Sequence, residues 1–319
     1  MDDLARLLRD QAGVTARRQA LEVGMTPIQV ARALRRREWV IVHRGVYVDH
    51  TGPLTWHQRS WAAVLSCAPA ALCGASAKRA YDGPGRPGSE RGPVHVAVDR
   101  DRHVEAPDGV VVHRMSDLEA RVHWNLGPPR VRYEHTVLDL AAAARDELAA
   151  VAVLADACGV RRTTADRLLT TMAERRWIAG RDFLRGVLSD IREGTCSVLE
   201  HGYLTRVERP HGLPLGRRQA ERVMSGRRIL QDVEYGDLGL VVELDGVMFH
   251  GSVEQRDHDL DRDLDRTVTR DGTTLRLGYG QVFRRGCHTA AQVARVMQRL
   301  GWPGDLVRCA KCGGPDQPG

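Results

Sequence analysis

The sequence predicts a mixed α+β (α/β) chain of two or three domains, with a helix-turn-helix and wing at its start and an α/β domain in its last third. Three observations lead there. A length of 319 residues is more than one ordinary core accommodates. The first fifty residues pass from helical spacing to a short hairpin. After Ser197, strand-like runs at 227–235, 240–246 and 274–277 lie between helical runs.

At the start, Leu4, Leu7 and Leu8 give 2–11 a helical stripe, and 14–23 reads as a second helix closed by Gly24. Thr26 then fits an N-cap, Pro27 the first helical position, and Gln29 completes a capping box. The third helix is expected to reach Arg37, with Ile28, Val30, Ala31 and Leu34 inward. Trp39 to Val42 and Val46 to Val48 read as strands around His43-Arg44-Gly45. Helix, helix, capped helix and hairpin is the order of a winged helix-turn-helix, so 1–50 is expected to bind DNA. Arg32, Arg35, Arg36 and Arg37 would face the groove, and Arg44 would sit at the wing tip. A small helical domain with a solvated basic face is the plainer alternative.

Residues 51–195 read as a mixed α/β to helical connecting region. Helices are expected at 55–67, 75–81, 134–144, 147–158, 163–175 and 180–191, and strands at 94–98 and 109–113. Asp99-Arg100-Asp101-Arg102-His103 joins the two strands; its charges alternate in sign, so it reads as a solvated loop rather than a site.

The last third carries the chemistry. Ser197 caps a helix with Glu200 at its third position, a capping box in the simplest reading. If the hairpin 227–246 is symmetric about Gly236 to Gly239, Asp232 lies opposite Glu243, and pleating puts Val241, Glu243 and Asp245 on one face. Facing acids among apolar residues need a positive partner. Mg²⁺ or Mn²⁺ is one answer, because hard ions take carboxylate oxygens and are completed by phosphate. An arginine (Arg228, Arg262 or Arg276) is the other.

Glu200 on a first helix, Asp232 on a strand, Glu243-x-Asp245-Gly246 with His250 behind it, Asp261-Arg262-x-x-Asp265 and Gly272-x-x-Leu275-Arg276 together resemble the Vsr-like endonuclease-fold domain of the PD-(D/E)XK superfamily. The resemblance covers about 196–302. Residues 1–50 in turn resemble the winged helix of AbiEi-type antitoxins. The resemblance implies a restriction-endonuclease-like fold in which Asp232 and Glu243 bind metal and Glu200 reaches the same ion. The superfamily's lysine, two residues after the second acid, is Asp245 here, counted with the catalytic acids. His250 would serve as general acid and base. Arg262 and Arg276 would meet phosphate, or Arg276 would neutralise the acids.

Composition narrows the rest. Formal charge is +6 and the pI about 9.1, which permits a polyanionic partner. Only Lys78 and Lys311 are lysines among 47 basic residues. So strong an arginine bias is a mark of GC-rich coding DNA, not a functional signal. No run of about 18 apolar residues exists, so no membrane span is expected. The seven cysteines and the absence of a leader-like start point to a reducing cytoplasm. In the tail, 303–319, Cys309-x-x-Cys312 has the shape of one zinc knuckle, with Cys287 and His288 as further ligands for a structural Zn²⁺; a metal-free tail with a thiol pair is the alternative. The expected function is a divalent-metal-dependent DNA endonuclease that hydrolyses phosphodiester bonds and is targeted by its winged helix. The alternative is a DNA-binding regulator or antitoxin with an inactive nuclease-like domain, partnered by a toxin or other protein.

Overall fold

A computed structural model describes residues 2–83, 92–193, 197–224, 227–245, 257, 260, 264 and 274–312. Among the described residues the chain is mixed α and β with three sheets, and it divides into two units, Met1–Leu140 and Ala141–Gly319.

The first unit opens with α1 (Asp2–Asp10), β1 (Val14–Ala16), α2 (Arg17–Glu22), α3 (Pro27–Arg35), β2 (Val40–His43) and β3 (Val46–Val48). Its strands lie in the order β1-β3-β2, all antiparallel. The helix expected over 14–23 is therefore a strand followed by a helix. Positive φ at Ala12 and Gly13 turns the chain out of α1. The β-branched Val14 and Thr15 then pair with Val48 and Tyr47. The Gln19 side chain accepts from the Ala16 amide at 3.0 Å and starts α2. The capping box of α3 forms as expected: the Gln29 amide donates to the Thr26 hydroxyl at 3.2 Å, and the Thr26 amide to the Gln29 side chain at 2.7 Å. Val30 and Ala33 face inward onto Ala20, Trp39 and Tyr47, whose two rings stack at 5.6 Å. Ile28 and Ala31, expected inward, are exposed instead, Ile28 at 76 %. Ile28 stands two residues from Val30, about 200° around the helix, so the two cannot share a face.

The unit continues through α4 (Trp56–Cys67), β4 (Ala71–Leu72), α5 (Gly74–Asp82), β5 (Val94–Asp99), β6 (Val110–Met115), α6 (Leu118–Arg121), β7 (Val122–His123), β8 (Arg130–Val131) and α7 (Tyr133–Ala142). The second sheet runs β6-β5-β4-β8-β7. Helix α4 is apolar nearly all round because it is shared. Trp61, Ala62 and Leu65 pack on Val14, Ala16, Val46 and Val48 of the first sheet, while Ala63, Val64 and Cys67 pack on Val94, Val96 and Val98. The 99–103 loop is more than a solvated connector: the Arg102 guanidinium donates to the carbonyls of Cys67, Ala68 and Pro69, closing the end of α4.

The second unit has α8 (Glu147–Gly159), α9 (Ala165–Ala173), α10 (Arg181–Glu193) and α11 (Ser197–Tyr203), then a π-helical turn (Leu204–Glu208) and a 3₁₀ turn (Arg209–His211). There follow β9 (Arg217–Met224), β10 (Arg227–Tyr235), β11 (Leu240–Leu244), β12 (Thr274–Leu277), a second π-helical turn (Gly280–Arg284) and α12 (Gly286–Arg299). The sheet order is β12-β11-β10-β9. The first three strands form an antiparallel meander, and β12 returns parallel to β11. Within the crossover, Asp257, Leu260 and Leu264 are helical and buried. Leu199, Tyr203, Val207, Val233, Val242, Leu244, Leu275, Val293 and Val296 form the core of this unit.

Candidate functional site

Asp232 and Glu243 stand next to the last paired residues of β10 and β11. Val233 pairs with Val242 and Glu234 with Val241, so the same register carried one residue further sets Asp232 across from Glu243. Asp232 Oδ2 accepts the Leu244 amide at 2.6 Å, which ties the carboxylate to the neighbouring strand. Burial raises the Asp232 carboxyl above its ordinary range; the Leu244 N–H pulls it back, and the charges of Glu243 and Asp245 push it further up. Asp245 follows β11, its amide donating to the Leu277 carbonyl at 2.8 Å.

The positive charge at Glu243 comes from the parallel strand. Arg276 is paired with Glu243 in register, and its Nε donates to Glu243 Oε2 at 2.8 Å, with the two side chains 62 % and 45 % exposed. Arg276, one of the three arginines that could serve as counterions by sequence, is thus found on an acid. Glu200 lies half-buried on α11, one turn before Tyr203, whose hydroxyl meets that of Tyr235 at 3.0 Å and pins the helix to β10. Glu200, Asp232 and Glu243 are not drawn into one close ligand group: among the described residues such a group forms elsewhere. His250 and Arg262 lie outside the described residues.

That group is His211, Cys287, Cys309 and Cys312, whose ligand atoms all lie within 4.8 Å of one another and can hold a metal ion. Cys287 stands in the first turn of α12, and Cys309 and Cys312 in the tail turn closed by the Cys312 amide on the Cys309 carbonyl at 3.0 Å. Cys287 Sγ is 3.5 Å from Cys309 Sγ, which is 3.7 Å from Cys312 Sγ. The fourth member is His211, fully buried, with Nε2 3.6 Å from Cys312 Sγ. The expected fourth ligand, His288, is exposed and outside the group. It follows Cys287 by one residue, about 100° around the helix, so the two point apart. A proline and a glycine flank His211 in the 3₁₀ turn, a local signal of a tight turn but not of a ligand. Burial and the facing Cys309 and Cys312 push the Cys287 thiol up to about 12. Burial opposes ionisation of Cys309 too, but hydrogen bonds from the Lys311 amide and the other two thiols hold it below the usual range.

The His211 turn is braced from beneath. Glu208, fully buried, accepts the Gly216 amide at 3.0 Å, both terminal nitrogens of Arg218, and the Tyr235 hydroxyl. Burial, Tyr203 and the Glu208 charge keep the Tyr235 hydroxyl protonated far above the usual tyrosine range. One carboxylate thus joins the ligand-bearing turn to β9 and β10.

In the first unit, Arg32 and Arg35 share the exposed face of α3 with Ile28 and Ala31. Arg36 is exposed beside Glu38 at 3.6 Å, and Arg44 is exposed between β2 and β3. An α-helix with an arginine face beside a β-hairpin tip that carries Arg44 can present cations to a phosphate backbone. Compared with protein-family models and with curated proteins, the chain matches none.

Proposed function

We propose that the chain is a divalent-metal-dependent DNA endonuclease of the PD-(D/E)XK type, carried to DNA by a winged helix formed by α1 to β3. One observation carries the nuclease reading. A helix leads into a three-stranded meander with a fourth strand parallel to the third, and the two central strands bring Asp232 close enough to Glu243 for its charge to act on it. That is the arrangement the Vsr-like resemblance implies for its metal-binding acids. The raised Asp232 carboxyl supports it: burial raises it first and the Glu243 and Asp245 charges add to this, and a cation would relieve both costs. Asp232 and Glu243 would hold Mg²⁺ or Mn²⁺, which when bound supplies charge to the scissile phosphate and acidifies a water. The chain's own share is to orient Asp232 through the Leu244 amide and to offer Arg276 to phosphate beside Glu243.

The Glu243–Arg276 contact and the aspartate at the lysine position favour a second reading, a DNA-binding regulator or antitoxin whose nuclease-like unit does not cut. Incubating full-length protein with supercoiled plasmid and Mg²⁺ or Mn²⁺ separates the two. Nicked or linear product that disappears in Glu243→Ala supports the endonuclease. Salt-sensitive plasmid binding without scission supports the regulator. Absence of binding at low salt overturns both.

A further inference from the structure

We propose that His211, Cys287, Cys309 and Cys312 form a closed, four-ligand structural zinc site that clasps the 301–312 segment onto the turn preceding β9. The argument is independent of the nuclease reading, since the group contains no carboxylate.

The distances fit one ion. With Zn–S near 2.3 Å and Zn–N near 2.0–2.1 Å, a regular tetrahedron has S···S edges of about 3.8 Å and S···N edges of about 3.5–3.6 Å. The group shows 3.5 and 3.7 Å between sulfurs and 3.6 Å between Nε2 and Cys312 Sγ. Disulfides are much shorter, and Cys287, Cys309 and Cys312 are all free thiols. Three thiolates and an imidazole are a ligand set that selects zinc over hard cations. Four protein ligands leave no open position, which marks a structural rather than catalytic site.

The surroundings are arranged for that ion. His211 Nδ1 lies 2.9 Å from the Val207 carbonyl, so its N–H donates there and the Nε2 lone pair faces the sulfurs, the usual support for a metal-bound histidine. The Lys311 amide donates to Cys309 Sγ at 3.4 Å. On binding, each thiol loses its proton to solvent, leaving a centre of net charge −1 beside Arg308 and Lys311. The tail segment has no helix or strand of its own, yet it is held in place. The Val307 amide donates to the His211 carbonyl at 3.0 Å, and Val307 lies so close over Gly212 that an added Cβ would come within 2.7 Å of it. Gly212 itself has φ +67°, so glycine is required both for the turn and for the tail that crosses it.

The test is metal analysis of full-length protein purified without a metal-binding tag. About one zinc per chain is expected. It should survive in Cys158→Ser and His288→Ala and be lost in Cys309→Ser and His211→Ala. Replacing zinc by cobalt should give the strong visible bands of a tetrahedral ion with thiolate-to-cobalt charge transfer, and His211→Cys should restore binding with a more sulfur-like spectrum. Should the ligand variants fail to fold, parent protein treated with a strong chelator serves in their place: trypsin cleavage after Arg308 should speed up at least about tenfold and return to its slow rate when zinc is added back. Metal-free parent protein, iron in place of zinc, a disulfide within the group, zinc retained in both Cys309→Ser and His211→Ala, or tail cleavage indifferent to chelation would each overturn the proposal.

Discussion

Replacing Glu208 by alanine tests how much of the second unit hangs on one buried carboxylate. The change leaves Arg218 facing a hole and takes the acceptor from the Gly216 amide; Tyr235 keeps its contact with Tyr203 at 3.0 Å, so its share of the destabilisation is small. Removing one member of a buried ion pair costs about 3–5 kcal/mol. The Arg218 side chain is 26 % exposed, so water recovers part of this and about 3 kcal/mol is expected. At roughly 2–4 °C per kcal/mol for a domain of 150–250 residues, the melting transition of Ala141–Gly319 should fall by about 6–12 °C, read by circular dichroism. Glu208→Gln, which keeps the shape and one acceptor, should fall between parent and alanine variant. The double change Glu208→Leu with Arg218→Met should recover much of the stability, since neither charge is then left alone. A Glu208→Ala protein melting within about 2 °C of the parent, or a double variant no better than the single one, would refute the clamp.

Three further outcomes are expected. In full-length protein, Arg32→Ala and Arg35→Ala should each weaken duplex binding and lower the salt slope by about one, the effect of leaving a single phosphate unneutralised; fluorescence anisotropy over a salt series measures both. Asp232→Asn should stabilise the second unit at neutral pH. The raised carboxyl binds its proton more tightly folded than unfolded, so its contribution is present below the ordinary value of 3.8 and is lost as pH rises through the raised one; urea midpoints of parent and variant that stay parallel from acid to neutral pH would contradict this. Gly202→Ala should destabilise by about 1–3 kcal/mol, because its Cβ would come within 2.5 Å of the Phe283 ring, and the ring's contacts with Phe183 and Tyr279 would be disturbed when it shifts; chemical denaturation measures it.

Elements with strong local signals were legible in the sequence. The capped α3, the strands at 227–235 and 274–277, and the hairpin between β10 and β11 follow from capping residues, β-branched runs and a four-residue turn. Strand β9 was not, because Arg217-Arg218-Gln219-Ala220-Glu221-Arg222 offers no apolar alternation; its strand state comes from pairing with β10 along one side. The division of 14–23 into β1 and α2 depended on β3, more than thirty residues away. In the candidate metal group, the Cys-x-x-Cys spacing pointed to two members, and of Cys287 and His288, suggested beside them, only Cys287 joins the group. His211 lies 101 positions from Cys312, and only the folded path of the tail brings them together. The contact of Arg276 with Glu243 likewise depends on the parallel register of β12, one of several arginines available by composition alone.

The mixed sheet also sets an order of events during folding. Strands β10 and β11 are joined by a short turn, so their hairpin can close within microseconds. Strand β12 must wait for the crossover, since Arg276 stands 33 positions after Glu243. The hairpin therefore forms with its two carboxylates facing each other and no guanidinium beside them. That repulsion opposes early closure and is relieved only late in assembly, when β12 docks. Refolding of the second unit should then quicken with added salt and with mild acid.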